Sequence, residues 1–418
     1  MIRDIHPRTP VATLDRDSLD CGSRRRWSLE AIAPVVGMSP WFIRKVLGQP
    51  SSRSIGTAEL LKLIDQDAFA ETFVPRSKIP EYLSALPTRP ATAELAIKSP
   101  HELIAGSAID LLPRLPESSV QCVVTSTPYW GMRVYDHHFV QRWADGEECA
   151  LGNEQTPEGF VRHSVEILFY LRRTLKSDAS VWWNLMDSYN TRTQIRANAS
   201  ETLNAMRGND KRGWHDHACR RYSAGHAYLK DGEQCQIPAQ VASRASRLGY
   251  FVKSVISWKK NGSLPETVDT RVTRELEYII HLSVHRTPLF NKKVFLQIPE
   301  SVGGRHRAYE SEKLTDVWHF STAAGLDGHG AQFPIALPGR CIALTTREGD
   351  VVLDPFVGSG TTSVAALLLR RRSIGFDISD KYLETARRRV REARARAPIS
   401  IDDDVTGAPE RPRQATFL

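Results

Sequence analysis

Two short runs, "SVQCVVTS" and "SVWWNLMDS", are centred on apolar residues, while the stretch between them, "TPEGFVRHSVEILFYLRRTLK", repeats its apolar residues at helical spacing. Unbroken apolar runs read as buried strands, and strand, helix, strand is the signature of a parallel sheet with crossover helices. The alternation resumes in "QIPAQVASRASRLGYFVKSVISWKK", a helix then a strand, and in the strand "LEYIIHLSVH". It closes with "VVLDPFVGSGTTSVAALLLRRRSIGFDIS", Val351 to Ser379: a strand ending at Asp354, a glycine turn, a helix from about Gly360 to Thr362, and a strand ending at Asp377. The pattern predicts one α/β domain over residues 91–398.

Before that domain, "SLEAIAPVVGMSPWFIRKVLG" (Ser28 to Gly48) predicts two short helices: Ser28 can cap the first, Gly37 breaks it, and Ser39-Pro40 open the second. This is a helix-turn-helix pattern within a module spanning residues 1–90, and it suits packing on the main domain as well as it suits groove binding. Pro87 to Pro100 reads as the linker. Within the domain, residues 190–233 have no sustained period and read as an inserted basic loop region, and residues 286–330 form a second irregular stretch. Residues 399–418, rich in Asp, Pro and Arg, read as a disordered tail.

The 418 residues, 41% of them hydrophobic, allow an enzyme-sized core with accessory parts. Stretches of about 18 apolar residues are missing and the first twenty residues are charged, so the reading is cytoplasmic with no membrane segment. Six scattered cysteines, Cys21, Cys122, Cys149, Cys219, Cys235 and Cys341, lack disulfide-framework spacing and suit reduced thiols. A net charge of +8 favours a polyanionic partner.

Two stretches carry chemistry. In the glycine turn, Gly358 and Gly360 let backbone pass close to a ligand, and Asp377, 19 residues after Gly358, is placed to hold ribose hydroxyls, close to the spacing of about 20 seen in nucleotide sites. The loop lacks the lysine of a phosphate-binding loop, which favours a nucleoside without phosphates over ATP. In "TSTPYW" (Thr125 to Trp130), large rings follow a proline at a strand end, where a flat ligand can lie against them.

"DPFVGSGTT" together with "TSTPYW" resembles the exocyclic-amino DNA methyltransferases, with an F-x-G-x-G cofactor motif and a [D/N/S]-P-P-[Y/F/W] target motif. The target motif comes first, the order of the family's β class. The resemblance runs from about Pro100 to Arg396 and takes in "SVWWNLMDSY", "GYFVKSVISWKKNGSLPE" and "HGAQFPIALPGRCI". It implies a Rossmann-like S-adenosylmethionine-dependent methyltransferase sheet, circularly permuted, carrying a small N-terminal helical module. Asp354, Phe356, Gly358, Gly360 and Thr361 would line the cofactor and Asp377 would take its ribose. Ser107 stands where relatives often have an adenine-contacting Asp, with Asp110 a weak substitute. At the target motif, Ser126 would offer its side-chain oxygen to the amino group of a flipped base, Thr127 its backbone carbonyl, and Tyr129 its ring, with Pro128 stiffening the turn. Thr127 replaces the usual proline. Trp130 is either a second wall or ordinary packing.

Serine in the first position usually accompanies cytosine, and a neutral hydroxyl suits cytosine N3 better than a carboxylate does. The expected reaction is methyl transfer to cytosine N4 in duplex DNA, within a restriction-modification system. Adenine N6 is the alternative, a non-catalytic DNA-binding regulator a reading of another class, and an RNA methyltransferase a minority one. Chemistry at cytosine C5 needs a Pro-Cys, which is absent from the sequence. A homodimer and a cognate restriction endonuclease are the protein partners left open. Recognition falls to 286–330, with Arg286, Lys292, Lys293, Arg305, His306 and Arg307, and a second clamp to Arg207, Lys211, Arg212, Arg220 and Arg221. "HDHAC" (His215, His217, Cys219), with His226 and Cys235, lacks usual zinc spacing, so no metal is expected. The Arg-rich Ala386 to Ala397 reads as a solvated helix face.

Overall fold

The apolar runs become strands, in a computed structural model that describes residues 26–36, 39–64, 94–131, 141–144, 146–154, 156–190, 193–195, 220–222, 229–230, 232–260, 269–320 and 333–396. In chain order they are β1 (Arg26–Ser28), β2 (Ser54–Gly56), β3 (His101–Ala105), β4 (Val120–Ser126), β5 (Leu175–Leu185), β6 (Thr193–Ile195), β7 (Arg220–Tyr222), β8 (Phe251–Lys260), β9 (Leu276–Ser283), β10 (Val317–Phe320), β11 (Val351–Asp354) and β12 (Arg372–Asp377). Eight form one sheet in the order β10-β8-β9-β5-β4-β11-β12-β3.

The two last strands in the chain therefore lie inside the sheet, β11 pairing with β4 (Leu353 opposite Val123) and β12 with β3 (Phe376 opposite Ile104). From the β4/β11 boundary the chain winds outward in opposite directions, and such a switch point opens a crevice at the carboxyl ends of its strands. The parallel expectation needs one correction. β9 runs antiparallel to both neighbours, β5 and β8. Its first residues thus reach the same edge as the last residues of β4, β5, β8 and β11.

Helix Pro157–Thr174 covers one face as its period foretold, starting on Thr156, whose side chain accepts the Gly159 N–H at 3.0 Å, with Pro157 in its first turn. The opposite face packs Trp182, Trp258 and Trp318 against helix Ala336–Thr345. Trp182 stacks on His281 at 3.8 Å, where burial and the Lys253 charge hold the imidazole down at about 3, so it stays neutral. No helix among the described residues is long and apolar enough to cross a membrane.

The N-terminal pair forms as the capping signals indicate. Ser39 Oγ accepts the Phe42 N–H at 3.2 Å to start helix Pro40–Leu47, and Gly48 ends it at φ +66°. Ser28 closes β1, and a third helix, Thr57–Ile64, completes the unit. This unit packs on helix Pro157–Thr174: Trp27 meets Phe169 edge-on, and the Thr57 and Tyr170 hydroxyls lie 3.2 Å apart. Trp41 remains exposed under the Lys45 ammonium.

Residues 286–330 are more regular than their sequence suggests as far as they are described, holding helix Val294–Gln297 and the edge strand β10. A buried arginine organises them. Arg340, on helix Ala336–Thr345, donates to the Gly303 carbonyl (2.7 Å), the Gly304 carbonyl (2.8 Å) and both Glu310 oxygens (2.7 and 2.8 Å), beneath the rings of Phe295, Trp318 and Phe320. Burial opposes charge on Glu310, but the hydrogen bonds and charge of Arg340 prevail and hold its carboxyl below the ordinary range. A Cβ on Gly304 would fall 1.9 Å from the Ile298 carbonyl oxygen, which is why backbone comes so close here.

The linker as far as residue 93, the basic residues Arg207, Lys211 and Arg212, the cluster His215, His217, Cys219 and His226, and the 399–418 tail lie outside the described residues. The 190–233 insertion is anchored where it is described: β6 pairs antiparallel with β7, and Tyr189 bridges to Gln234.

Arg340→Met strands the Glu310 carboxylate and is expected to lower unfolding free energy by about 3–5 kcal/mol, read from the urea midpoint, while adding Glu310→Leu restores most of it.

Candidate active site

Strand pairing brings the two sequence motifs together. Asp354, 2% exposed at the end of β11, accepts the Thr125 hydroxyl on Oδ1 at 2.7 Å, the Phe356 N–H on the same oxygen at 3.0 Å, and the Thr362 hydroxyl on Oδ2 at 2.6 Å. Its carboxylate thus ties the target strand to both sides of the glycine turn, and its oxygens are engaged inside the protein. Burial pushes this carboxyl up to about 6, against the pull of those hydrogen bonds.

The glycine turn needs its unusual backbone. Gly358 sits at φ +50°, and a Cβ there would meet only the Phe356 carbonyl oxygen, in ordinary contact at 4.0 Å. Gly360 sits at φ +84°, and a Cβ there would lie 2.8 Å from the Ala386 Cβ, so it serves close packing of helix Asp380–Arg396. Asp377, half-buried at the tip of β12, accepts the Gly358 N–H on Oδ2 (2.9 Å) and the Ser379 N–H on Oδ1 (2.8 Å). Burial raises it to about 6 despite those N–H groups. Phe356 is half-buried, edge-on to Trp183 at 6.4 Å. The Thr361 hydroxyl faces Arg389, whose Nη1 donates to it (3.0 Å) and to the Ser359 carbonyl and hydroxyl (both 2.8 Å). Arg387 reaches the Leu103 carbonyl at 3.0 Å. The Arg-rich helix is therefore not merely a solvated face: two of its guanidinium groups brace the loop and the neighbouring strand. Ser107 is buried ahead of helix Ala108–Leu111, and Asp110 is exposed on that helix.

At the target turn, Ser126, Pro128 and Tyr129 are half-buried, while Thr127 is buried with its hydroxyl lacking a partner among the described residues. Trp130 is core packing rather than a pocket wall, 1% exposed, its Nε1 donating to the Glu154 carbonyl at 3.1 Å. Sequence reading missed three residues that the sheet delivers here. Asn184, opposite Ser126 on β5, donates from Nδ2 to the Tyr129 hydroxyl (2.7 Å) and to Glu277 Oε2 (2.8 Å), and lies 3.4 Å from Ser126 Oγ. Glu277, on β9, also accepts the Tyr129 hydroxyl, and its other oxygen pairs with Lys260 Nζ of β8 at 2.9 Å. Asn184 lies within the "SVWWNLMDSY" stretch of the resemblance, which could have singled it out; Glu277 and Lys260 had no local signal.

Behind the turn, Cys149, Glu154 and His163 bring potential metal-ligand atoms within 4.8 Å of one another. His163 Nδ1 lies 3.1 Å from Glu154 Oε1, which also accepts the Gly152 N–H at 3.2 Å, and Gly131 N–H donates to the Gly152 carbonyl. The group steadies the loop under Tyr129 and Trp130. On the 286–320 stretch, Arg286, Lys292, Lys293 and Arg307 are exposed, whereas Arg305 and His306 are half-buried beside Glu312 (3.5 Å) and Glu300 (3.4 Å).

Sheet order, glycine turn and target turn define a Rossmann-like methyltransferase domain. The chain belongs to the DNA methylase family, whose profile matches residues 120–388. It is 30% identical over 288 residues to the Type II methyltransferase M.XycI of Xanthomonas campestris pv. cyanopsidis, covering 69% of this chain and 87% of that one. With the Type II methyltransferase M.Cfr9I of Citrobacter freundii it shares 28% identity over 320 residues, 73% of this chain and 96% of that one. Among solved structures it is similar to the PvuII DNA methyltransferase (cytosine-N4-specific), at 18% identity and a TM-score of 0.47, covering 69% of this chain and 85% of that one.

Asp354 and Asp377, raised to about 6, hold protons that an unfolded chain releases near pH 4, so the free protein is expected to lose stability as pH rises from about 4 to about 6. Asp354→Asn should flatten that slope in thermal melts across the window. Gly360→Ala must hold an L-residue in the left-handed region, at about 1–2 kcal/mol, and also press on Ala386; a lower Tm and weaker cofactor binding by calorimetry are expected.

Proposed function

We propose that this chain transfers a methyl group from S-adenosylmethionine to the N4 amino group of cytosine in duplex DNA, as the protecting member of a restriction-modification pair. The observation that carries the reading is the join between motifs: Asp354 holds the target strand against the glycine turn, so Ser126 and the cofactor loop open onto one crevice. The turn fits the cofactor. The left-handed Gly358 keeps side chains away from the backbone of the turn, Asp377 stands beside it at the tip of the next strand with carboxylate acceptors for ribose hydroxyls, and the turn has no lysine to demand phosphates.

Bound there, S-adenosylmethionine supplies an electrophilic methyl group on a sulfonium. The chain's own work is to present the nucleophile. An exocyclic amino nitrogen is a weak nucleophile because its lone pair is delocalised into the ring, and acceptors on its N–H groups favour pyramidalisation. Ser126 Oγ and the Thr127 carbonyl are those acceptors, Pro128 restrains the turn, and the Tyr129 ring stacks on the flipped base, a contact of about 1–3 kcal/mol that offsets part of the cost of flipping. The serine favours cytosine, since a hydroxyl can accept from the amino group or donate to ring N3. Exposed Arg286, Lys292, Lys293 and Arg307 suit phosphate contact, in keeping with the +8 net charge. Both relatives named above are Type II methyltransferases, which supports the protective role.

Labelled S-adenosylmethionine, mixed genomic DNA and nucleoside mass analysis test the reading. N4-methylcytosine is expected; N6-methyladenine would move the target to adenine, and DNA binding without any methylated nucleoside would favour a regulator. Ser126→Ala should lower kcat about 10- to 100-fold, the worth of one hydrogen bond of about 1.5–3 kcal/mol to a group gaining charge.

A further inference from the structure

Tyr129 ends a motif in which relatives use tyrosine, phenylalanine or tryptophan alike, so stacking on a base needs no hydroxyl. Here the hydroxyl is built into a chain of polar groups. Ser126 Oγ lies 3.2 Å from it, it donates to Glu277 Oε2, and Asn184 Nδ2 holds both Tyr129 (2.7 Å) and Glu277 (2.8 Å) in place. Asn184 is 1% exposed and Glu277 7%, so this chain runs from the half-buried Ser126 into the protein. Lys260 pairs with the far oxygen of Glu277 at 2.9 Å. Other charges nearby are the partly exposed pair Lys259 and Glu275, 3.8 Å apart. A buried carboxylate with a hydroxyl already donating to it is arranged to receive a proton.

We propose that Glu277 is the proton sink of the reaction, acting through Tyr129 and Ser126. The inference rests on the methyl-transfer reading and names how that same site disposes of its proton. As the amino nitrogen forms its bond to the methyl carbon, the sulfur–methyl bond breaks and its electron pair stays on sulfur, leaving the nitrogen with one proton too many. That proton passes to Ser126 Oγ, the serine proton to the Tyr129 oxygen, and the tyrosine proton to Glu277 Oε2. Serine and tyrosine are restored, the product amine is neutral, and Glu277 ends protonated beside Lys260. The relay needs only an amino group, so it holds for cytosine N4 and adenine N6 alike. Glu277 touches no substrate and is a positioning and proton-accepting residue behind Ser126.

The test is single-turnover methylation across pH for wild type, Glu277→Gln, Tyr129→Phe and the double variant, with S-adenosylmethionine affinity by calorimetry. Either single change should lower the rate by about 10²-fold or more with cofactor affinity retained, and the double variant should be no slower than the worse single. The wild-type rate should fall at acid pH, and Glu277→Gln should lose that limb. Glu277→Gln turning over like wild type, an unchanged acid limb, or additive losses in the double variant would each overturn the relay. Tyr129→Phe keeps the ring and the carboxylate, so full activity in it overturns the relay even where Glu277→Gln fails to fold. Wild-type protein that transfers no methyl group removes the underlying reading, an outcome separate from the others.

Discussion

The carboxylate of Asp354 is the constraint on which the site depends. Its hydrogen bonds from Thr125, Thr362 and the Phe356 amide join a strand end from one part of the chain to a loop and helix start from another. Burial makes the charged form costly and the hydrogen bonds compensate in part, so the group is strained electrostatically where it is fixed geometrically. Motion of the glycine turn relative to Ser126 would break at least one of these bonds in a place water does not reach. A methyl-transfer site benefits from such rigidity, because reacting atoms held close in line save much of the entropic cost of meeting.

Strand direction does the rest. Five strands of differing origin present chemistry at one edge: Ser126 and Asn184 from the ends of β4 and β5, Lys260 from the end of β8, Asp354 from the end of β11, and Glu277 from the start of β9. The reversal of β9 is what makes Glu277 available, since a parallel β9 would carry it to the opposite edge. The 286–320 stretch is attached to this arrangement through Arg340, whose buried charge is matched by Glu310 and two backbone carbonyls.

Local signals were legible in the sequence and cross-strand ones were not. Apolar runs announced β4, β5 and β11 because strands covered on both faces have no polar alternation to hide them. The glycine turn and Asp377 were legible because their spacing lies within one strand-turn-helix unit. Glu277 and Asn184 are 93 residues apart and meet only through the β5/β9 register, which leaves no periodic trace. The direction of β9 was equally invisible, since side-chain alternation is the same for either direction. Arg389 was hidden in a run of arginines, where charge suggests solvent and only the packing of its helix against the loop singles out one of them. The 286–320 stretch looked irregular because its order comes from a buried arginine outside it and from glycines that admit close backbone.

Thr125 and Asp354 are neighbours in space and 229 residues apart along the chain, and this separation bears on how the protein is made. At ribosomal speeds β4 waits about ten to fifty seconds after synthesis before its partner strand exists. The gap falls inside the sheet, between β4 and β3, and it is filled only when both β11 and β12 have been made. The joined site therefore cannot form before the chain has been made as far as β11, and a chain released earlier lacks strands from inside its sheet rather than from its margin.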